Sequence, residues 1–537
     1  MILTFFYETD IIHFMSMLFS FSNFNREITP VMFFPAVVIV LILLFFAYYI
    51  SVVRSQPGTA EWIIRKLNKN NLTLLNHRFL LDKRDIMPLV IVTIFFMILA
   101  MFNLGSSGTV DVMGEIHEST PGLTHLESMY FDEIYHVRTA VEHINNFNPY
   151  EATHPPLGKE IIAASILIFG ESPFGWRLLG ALLGVLMLPV IYILIKGMFG
   201  KPVVAVCATL LFGFDFMRYV QTRIATIDTF VVFFILLAFF FMYRYITTDV
   251  DAPFRKSLLP LALSGLFFGL GFAVKWVGFY AGAGLLVIYI IRLCMLWGHY
   301  RAAGMVGFGV YLIKTLLFSF LFFIVIPVLI YYISYIPYGT ARGMEAGIGI
   351  LWNPDFFKLV WSNQEYMLTY HSKIVVSATH PFSSFWWQWI LNIRPILYVY
   401  GVSGELRATF GAFGNPVVWW GGVLAMIMMA VRIFAYRDGK ALFILIGYLA
   451  QLLPWIAVTR IVFIYHYFPS TLFIILAFAH MFNTIIERRK FSGTKVVYGY
   501  TAVTAVVFAI FFPMMSGMYL PNWYYSSFLK WFQTWPF

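Results

Sequence analysis

Residues 130–160 read YFDEIYHVRTAVEHINNFNPYEATHPPLGKE, and apolar runs near 87–104 and 173–196 flank them. Carboxylates, histidines and prolines crowded between two runs of bilayer length mark a connecting segment of a membrane protein. The composition agrees: 60% of the 537 residues are hydrophobic, 19% aromatic and 12% charged, with a mean hydropathy of +0.79. Such a chain is too apolar for a water-soluble fold. Its net charge of +10 does not indicate nucleic-acid binding, because the basic residues cluster beside apolar runs, where membrane topology and anionic lipid account for them. Cys207 and Cys294 lie within apolar segments at no metal or redox spacing, so buried structural roles are expected for both.

A helix crosses a bilayer with about 17–25 apolar residues. Working outward from the quoted stretch, such runs fall near 31–53, 87–104, 173–196, 202–216, 227–246, 258–274, 277–295, 311–335, 416–432, 441–457, 468–486 and 497–518. The pattern predicts an all-α polytopic membrane protein with about twelve transmembrane helices. The earlier segment IIHFMSMLFSF is short, polar at its flanks and without the basic start of a signal peptide, and it reads as interfacial. Arg54, Arg65, Lys66, Lys69, Arg78, Lys83 and Arg84 follow the first run, whereas in the next loop, from the end of the second run to Gly158, Arg138 stands alone among eight Asp and Glu residues. The positive-inside rule puts the basic loop in the cytoplasm and the quoted stretch outside. Arg244, Arg255, Lys256, Arg292, Arg301, Arg432, Arg437, Lys440, Arg488, Arg489 and Lys490 keep the alternation, so the two long polar segments, about 105–172 and 336–415, share the extracytoplasmic face.

Within the quoted stretch, Asp132 and Glu133 are neighbours. On a helix their side chains diverge by about 100°, so one of them at most points into a shared pocket. Asp132 and His136 share a face. THPPLGKE stiffens the chain with Pro155 and Pro156 after His154, then begins an apolar helix near Lys159. A rigid polar element between spans is suited to line a water-accessible site. Charges inside spans form the second informative class, since an unpaired charge in hydrocarbon costs several kcal/mol. Arg223 and Asp228 pair with each other or with groups elsewhere. Arg177 and Lys275 have no acid within a helical turn, and near the outer ends of their spans each is placed to meet an anionic headgroup.

FDEIYH, THPPLGK, QTRIATIDTF, AVKWVGF, HPFSSFWWQWILNIRPILYVY, FGNPVVWWGG and IYHYFP occur in that order. Together they resemble the protein O-mannosyltransferase family, integral-membrane glycosyltransferases of the GT-C class. The resemblance runs from about residue 87 to about 520. It implies eleven spans with a cytoplasmic amino end, so 1–86 reads as an extension with one extra helix and a basic cytoplasmic loop, and 87–537 as the GT-C domain. The segment 336–415 is too short for the β-trefoil MIR domain of eukaryotic members, which makes the chain look like a bacterial-type member. By motif match, Asp132 and Glu133 are similar to the family's catalytic acidic pair, with Asp132 as the catalytic carboxylate. Arg177 matches the arginine taken to contact the donor phosphate, and Lys275 is grouped with it. His136, His154, Lys159, Arg223, Asp228, Trp276, His380, Trp387, Arg394, Tyr465 and His466 are candidates to line the site. Trp386, Trp387 and Trp389 equally fit an interfacial aromatic belt.

The implied donor is a polyprenyl-phosphate sugar, and the implied acceptor is Ser or Thr of a secreted or envelope protein. A phosphate is already a good leaving group, so no acid is needed to protonate it, unlike the alkoxide of a glycoside. One carboxylate takes the proton of the attacking hydroxyl while a cation meets the charge on the departing phosphate. A divalent ion held by the adjacent carboxylates is the other reading of Asp132 and Glu133. The rivals are a GT-C transferase acting on a lipid or wall glycan and, from another class, a transporter. Against the transporter, the two halves show no obvious repeat and no paired broken helices.

Overall fold

Hydrocarbon offers a backbone no hydrogen-bond partners, so apolar runs fold as helices that satisfy their own peptide groups. The computed structural model of the chain describes residues 30–54, 79, 81–106 and 129–537. Among them ten helices are long and apolar enough to cross a membrane: Phe34–Val53, Lys83–Met101, Pro173–Phe199, Asp228–Ile246, Phe254–Val274, Gly278–Ala302, Phe308–Ala341, Pro416–Tyr436, Gly439–Ala457 and Ile464–Met515. The run expected at 202–216 is realised as the shorter apolar helix Pro202–Gly213. Those expected at 468–486 and 497–518 join in one helical element that turns at Lys490, where φ is 42°. The second span starts at Lys83, ahead of the expected 87, because the Asp82 and Asp85 side chains close a capping box there. The interfacial segment and Arg65, Lys66, Lys69 and Arg78 lie outside the described residues.

Several spans carry charges at their ends, and these gather into two separate groups. At one, Arg432 and His480 converge on Asp438 at 2.9 and 2.8 Å, and Arg488 donates to the carbonyls of Val52 and Val53 that end the leading helix. That leading helix, Pro30–Arg54, packs on Pro416–Tyr436 and Phe468–Met515 as part of the bundle. Pro173–Phe199 has Lys196 at this end and Arg177 at the other, and Asp228–Ile246 has Arg244 here and Asp228 there. The Arg177 and Asp228 end is covered by the described parts of both long polar segments. They touch where Asn363 donates to the Ala152 carbonyl (2.9 Å) and His371 meets the Thr153 carbonyl (2.9 Å).

Among the described residues the helical fold carries one small sheet of order β1-β2-β3, formed by Ile396–Ser403, Leu406–Ala412 and Leu520–Pro521. ILYVYGVS is rich in β-branched and aromatic residues, and Gly404 at φ 61° starts the two-residue turn that pairs Ser403 with Leu406. Cys207 is buried, but Cys294 is exposed on the outward side of Gly278–Ala302, which corrects the expectation of burial for both. Length and hydropathy identify a span without saying which of its faces meets neighbours.

Candidate active site

The turn before the Glu133–Ile144 helix is pinned by its own second carboxylate. Glu133 Oε2 accepts from the Tyr130 N–H (2.9 Å) and Oε1 from the Ala225 N–H (2.8 Å). Arg177 grips the same carboxylate with Nε and Nη2, both at 2.8 Å, a planar two-pronged match. Its Nη1 donates to the Leu104 and Ser106 carbonyls, and its guanidinium lies 4.0 Å over the Tyr130 ring. Between these anchors Phe131 is held at φ 44°, a left-handed conformation strained for an aromatic residue. The Phe131 ring is fixed by stacking on Tyr398 at 4.6 Å.

Asp132 follows that strained residue, half-buried, and its carboxylate has no hydrogen-bond or ion-pair partner among the described residues. Surrounding protein strips its hydration and pushes its pKa up to about 7; Lys275 opposes the rise, while Asp228 and Glu151 add to it.

His136 lies one turn further along the same helix, buried, with Nδ1 unbonded, and its ring is 5.7 Å from that of His154. His154 Nδ1 is 3.0 Å from Glu151, and Lys159 Nζ reaches the other oxygen of Glu151 at 2.6 Å. Thr153 also bonds Glu151. Burial alone would raise the Glu151 carboxyl, yet Lys159 and His154 hold it well below the usual carboxylate range. Burial pushes His136 and His154 down, so both rings are neutral near pH 7. Gly158 lets the following helix approach the bundle: a Cβ there would sit 2.5 Å from Ile227 and 3.2 Å from Val274. On the facing spans Lys275 pairs with Asp228 at 2.8 Å, and its ammonium lies 5.5 Å over the Tyr465 ring. Tyr465 closes the circle, its ring 6.1 Å from Phe131.

Comparison with known proteins puts a family on this arrangement. The family model described as dolichyl-phosphate-mannose-protein mannosyltransferase matches residues 122–337, and that for the C-terminal four-span region of protein-O-mannosyltransferase matches 356–535. The chain belongs to the protein O-mannosyltransferase family. A relative from Mycobacterium tuberculosis, polyprenol-phosphate-mannose–protein mannosyltransferase, is 25% identical over 471 residues, covering 75% of this chain and 88% of the relative. Its counterpart from Corynebacterium glutamicum is 26% identical over 434 residues, covering 71% and 81%. In fold, the chain is similar to the Saccharomyces cerevisiae protein O-mannosyltransferase Pmt1-Pmt2 complex bound to the sugar donor, with a TM-score of 0.69 at 14% identity over 85% of this chain and 93% of that one. This is a GT-C membrane fold.

Within this protein O-mannosyltransferase the motif residues divide by location. Asp132, His136, His154, Lys159, Asp228, Lys275 and Tyr465 gather in one neighbourhood, joined by Trp276, whose ring is 6.3 Å from His371. His466 stands one layer back, packed on Trp455 (4.4 Å) and Trp389 (5.9 Å). His380 is on the rim, edge-on to Phe463 at 4.9 Å. Trp387 and Arg394 are exposed, and the arginine donates to the Pro381 carbonyl.

Three expectations change. Arg177 does not face a headgroup: it is 1% exposed, with four N–H bonds committed to Glu133 and two carbonyls. Lys275 is ion-paired rather than awaiting a headgroup, and its partner Asp228 is therefore not paired with Arg223, which bonds the Leu99 and Ala100 carbonyls. Glu133 cannot join Asp132 around a divalent ion in this geometry, since both its oxygens are occupied. No group of three or more His, Cys, Asp or Glu side chains suited to a metal occurs among the described residues.

Sequence reasoning missed Glu151, His371 and Arg460, a half-buried cation whose electrostatic neighbours include Tyr465. Glu151 stands three residues before His154, a legible i,i+3 spacing. His371 had no motif to reveal it, whereas Arg460 lies five residues before Tyr465 in the connection that carries IYHYFP.

Proposed function

We propose that this chain transfers mannose, with inversion, from a polyprenyl-phosphate donor to Ser or Thr hydroxyls of exported proteins, at the extracytoplasmic face, with Asp132 as the base. The observation that carries the reading is the contrast within the acidic pair: Glu133 is fully bonded, whereas Asp132 is half-buried, unpartnered among the described residues and has a pKa pushed up to about 7. The acceptor oxygen attacks the anomeric carbon and its proton passes to Asp132. The bond from that carbon to the phosphate oxygen breaks, and the phosphate leaves with the electron pair. Uncharged His136 and His154 are suited to hold hydroxyls of sugar or acceptor rather than to attract the phosphate.

Purified protein given polyprenyl-phosphate mannose and a Ser/Thr peptide should release polyprenyl phosphate and yield mannosylated peptide. No release would refute the reading, and release with mannose appearing only on a glycan or lipid acceptor would replace its acceptor. The base must be deprotonated to work, so kcat/KM should climb roughly tenfold per pH unit below about 7 and level off above it. A flat profile between about pH 5.5 and pH 8.5 would show that no such group limits the reaction. For sidedness, Asn148 is exposed beside the site. A cysteine placed there should react with an impermeant thiol reagent in intact cells, and one at Asn70, outside the described residues, should not. The opposite labelling would move the site to the cytoplasmic face.

A further inference from the structure

A departing phosphate needs a cation that is not already neutralised. Around the site, most basic side chains are accounted for by an acid. Arg177 holds Glu133, Lys159 holds Glu151, Lys275 holds Asp228 and Arg138 holds Glu142. Arg223 is buried against backbone carbonyls and the Tyr219 ring.

Arg460 is different. It is half-buried and has no carboxylate within ion-pair distance among the described residues; its Nη1 reaches only the Ile461 carbonyl, at 3.1 Å. It sits in the connection between Gly439–Ala457 and Ile464–Met515. Its electrostatic neighbours are Tyr465, Tyr280 and Tyr370, and Tyr465 also feels the charges of Asp132 and Asp228. Arg460 therefore lies around the same aromatic side chain as the candidate base and Lys275. The other side of its surroundings is apolar. Tyr280 packs edge-on to Trp455 at 5.6 Å, and beside those two residues Phe279, Leu453 and Ile456 are 61%, 50% and 55% exposed. A cation next to an exposed apolar surface at the end of two spans fits an anionic headgroup with its hydrocarbon tail.

We propose that Arg460 is the residue that takes the phosphate of the lipid-linked donor, and of the polyprenyl phosphate released, with Phe279, Leu453 and Ile456 against the start of the tail. This rests on the lipid-phosphate reading above and replaces Arg177 in that role.

The test is binding of polyprenyl phosphate and of the neutral polyprenol of equal length to wild type, Arg460→Ala and Arg460→Gln, each checked for folding by thermal unfolding. Wild type should prefer the phosphate by about tenfold or more, as expected for a charge-assisted contact. Either variant should bind the two lipids almost equally, with polyprenol affinity unchanged and the donor KM raised. Arg460→Lys should keep part of the preference, as a point charge without the planar fork. A folded Ala or Gln variant that retains the full preference overturns the assignment of Arg460. Wild type without any preference overturns the lipid-phosphate reading itself. Inorganic phosphate displacing the lipid as readily as polyprenyl phosphate does would make this a general anion site and overturn the lipid assignment.

Discussion

Asp132→Asn is expected to slow mannose transfer by roughly 10²- to 10⁴-fold, the range for loss of a general base. The substitution keeps the size of the side chain while removing its negative charge and its ability to accept a proton. The carboxylate makes no hydrogen bond or ion pair among the described residues, so its loss leaves no buried partner stranded and the protein should unfold at or slightly above the wild-type temperature. Affinity for polyprenyl phosphate should persist, since the phosphate is held by other groups. The rise of activity through about pH 7 should vanish with the group that causes it. Transfer at the wild-type rate by folded Asp132→Asn would end the mechanism proposed here.

Glu133→Gln should fail for the opposite reason. Arg177 and Glu133 are buried together, at 1% and 0% exposure, and removing one charge leaves the other uncompensated, at about 3–5 kcal/mol. The neutral amide also cannot accept all four bonds that Glu133 now receives from Arg177, Tyr130 and Ala225. The strained Phe131 turn then loses its anchor, and Asp132 moves. We expect a clearly lower unfolding temperature in detergent together with loss of transfer per folded molecule. Arg177→Ala should reproduce both effects, and the double variant should be less damaging than the sum of the two, because each removes the other's partner. Wild-type stability in Glu133→Gln would show that the pair does not hold the turn. An Arg177→Ala variant that folds normally and loses only lipid-phosphate affinity would return Arg177 to the donor.

The helical membrane fold was legible because it is written in the commonest side chains. Runs such as FVVFFILLAFFFMY leave a backbone in hydrocarbon one way to satisfy its peptide groups, and the span pattern follows. The separation of charges into two ends was legible for a related reason: Arg244 and Asp228 sit at opposite ends of one short helix, and a helix of known rise has known ends. The β-hairpin at 396–412 went unread, although ILYVYGVSGEL carries a strand composition and a turn glycine, because apolar length dominated the segmentation.

By itself the sequence determined that this chain is a membrane-spanning helical protein, that its acidic pair and HPP segment lie in one connecting loop, and which family motifs they match. The tertiary structure alone decided which member of each charged set is free. Glu133 and Arg177 are 44 residues apart and Lys275 and Asp228 are 47 apart, and no local spacing announces such a pair. Adjacent carboxylates look alike in a sequence, whereas in the fold one meets a guanidinium and two backbone N–H groups and the other meets none. The physical reason is that a charge is spent or available according to what lies within about 4 Å of it, and that distance is set by helices brought together from distant parts of the chain.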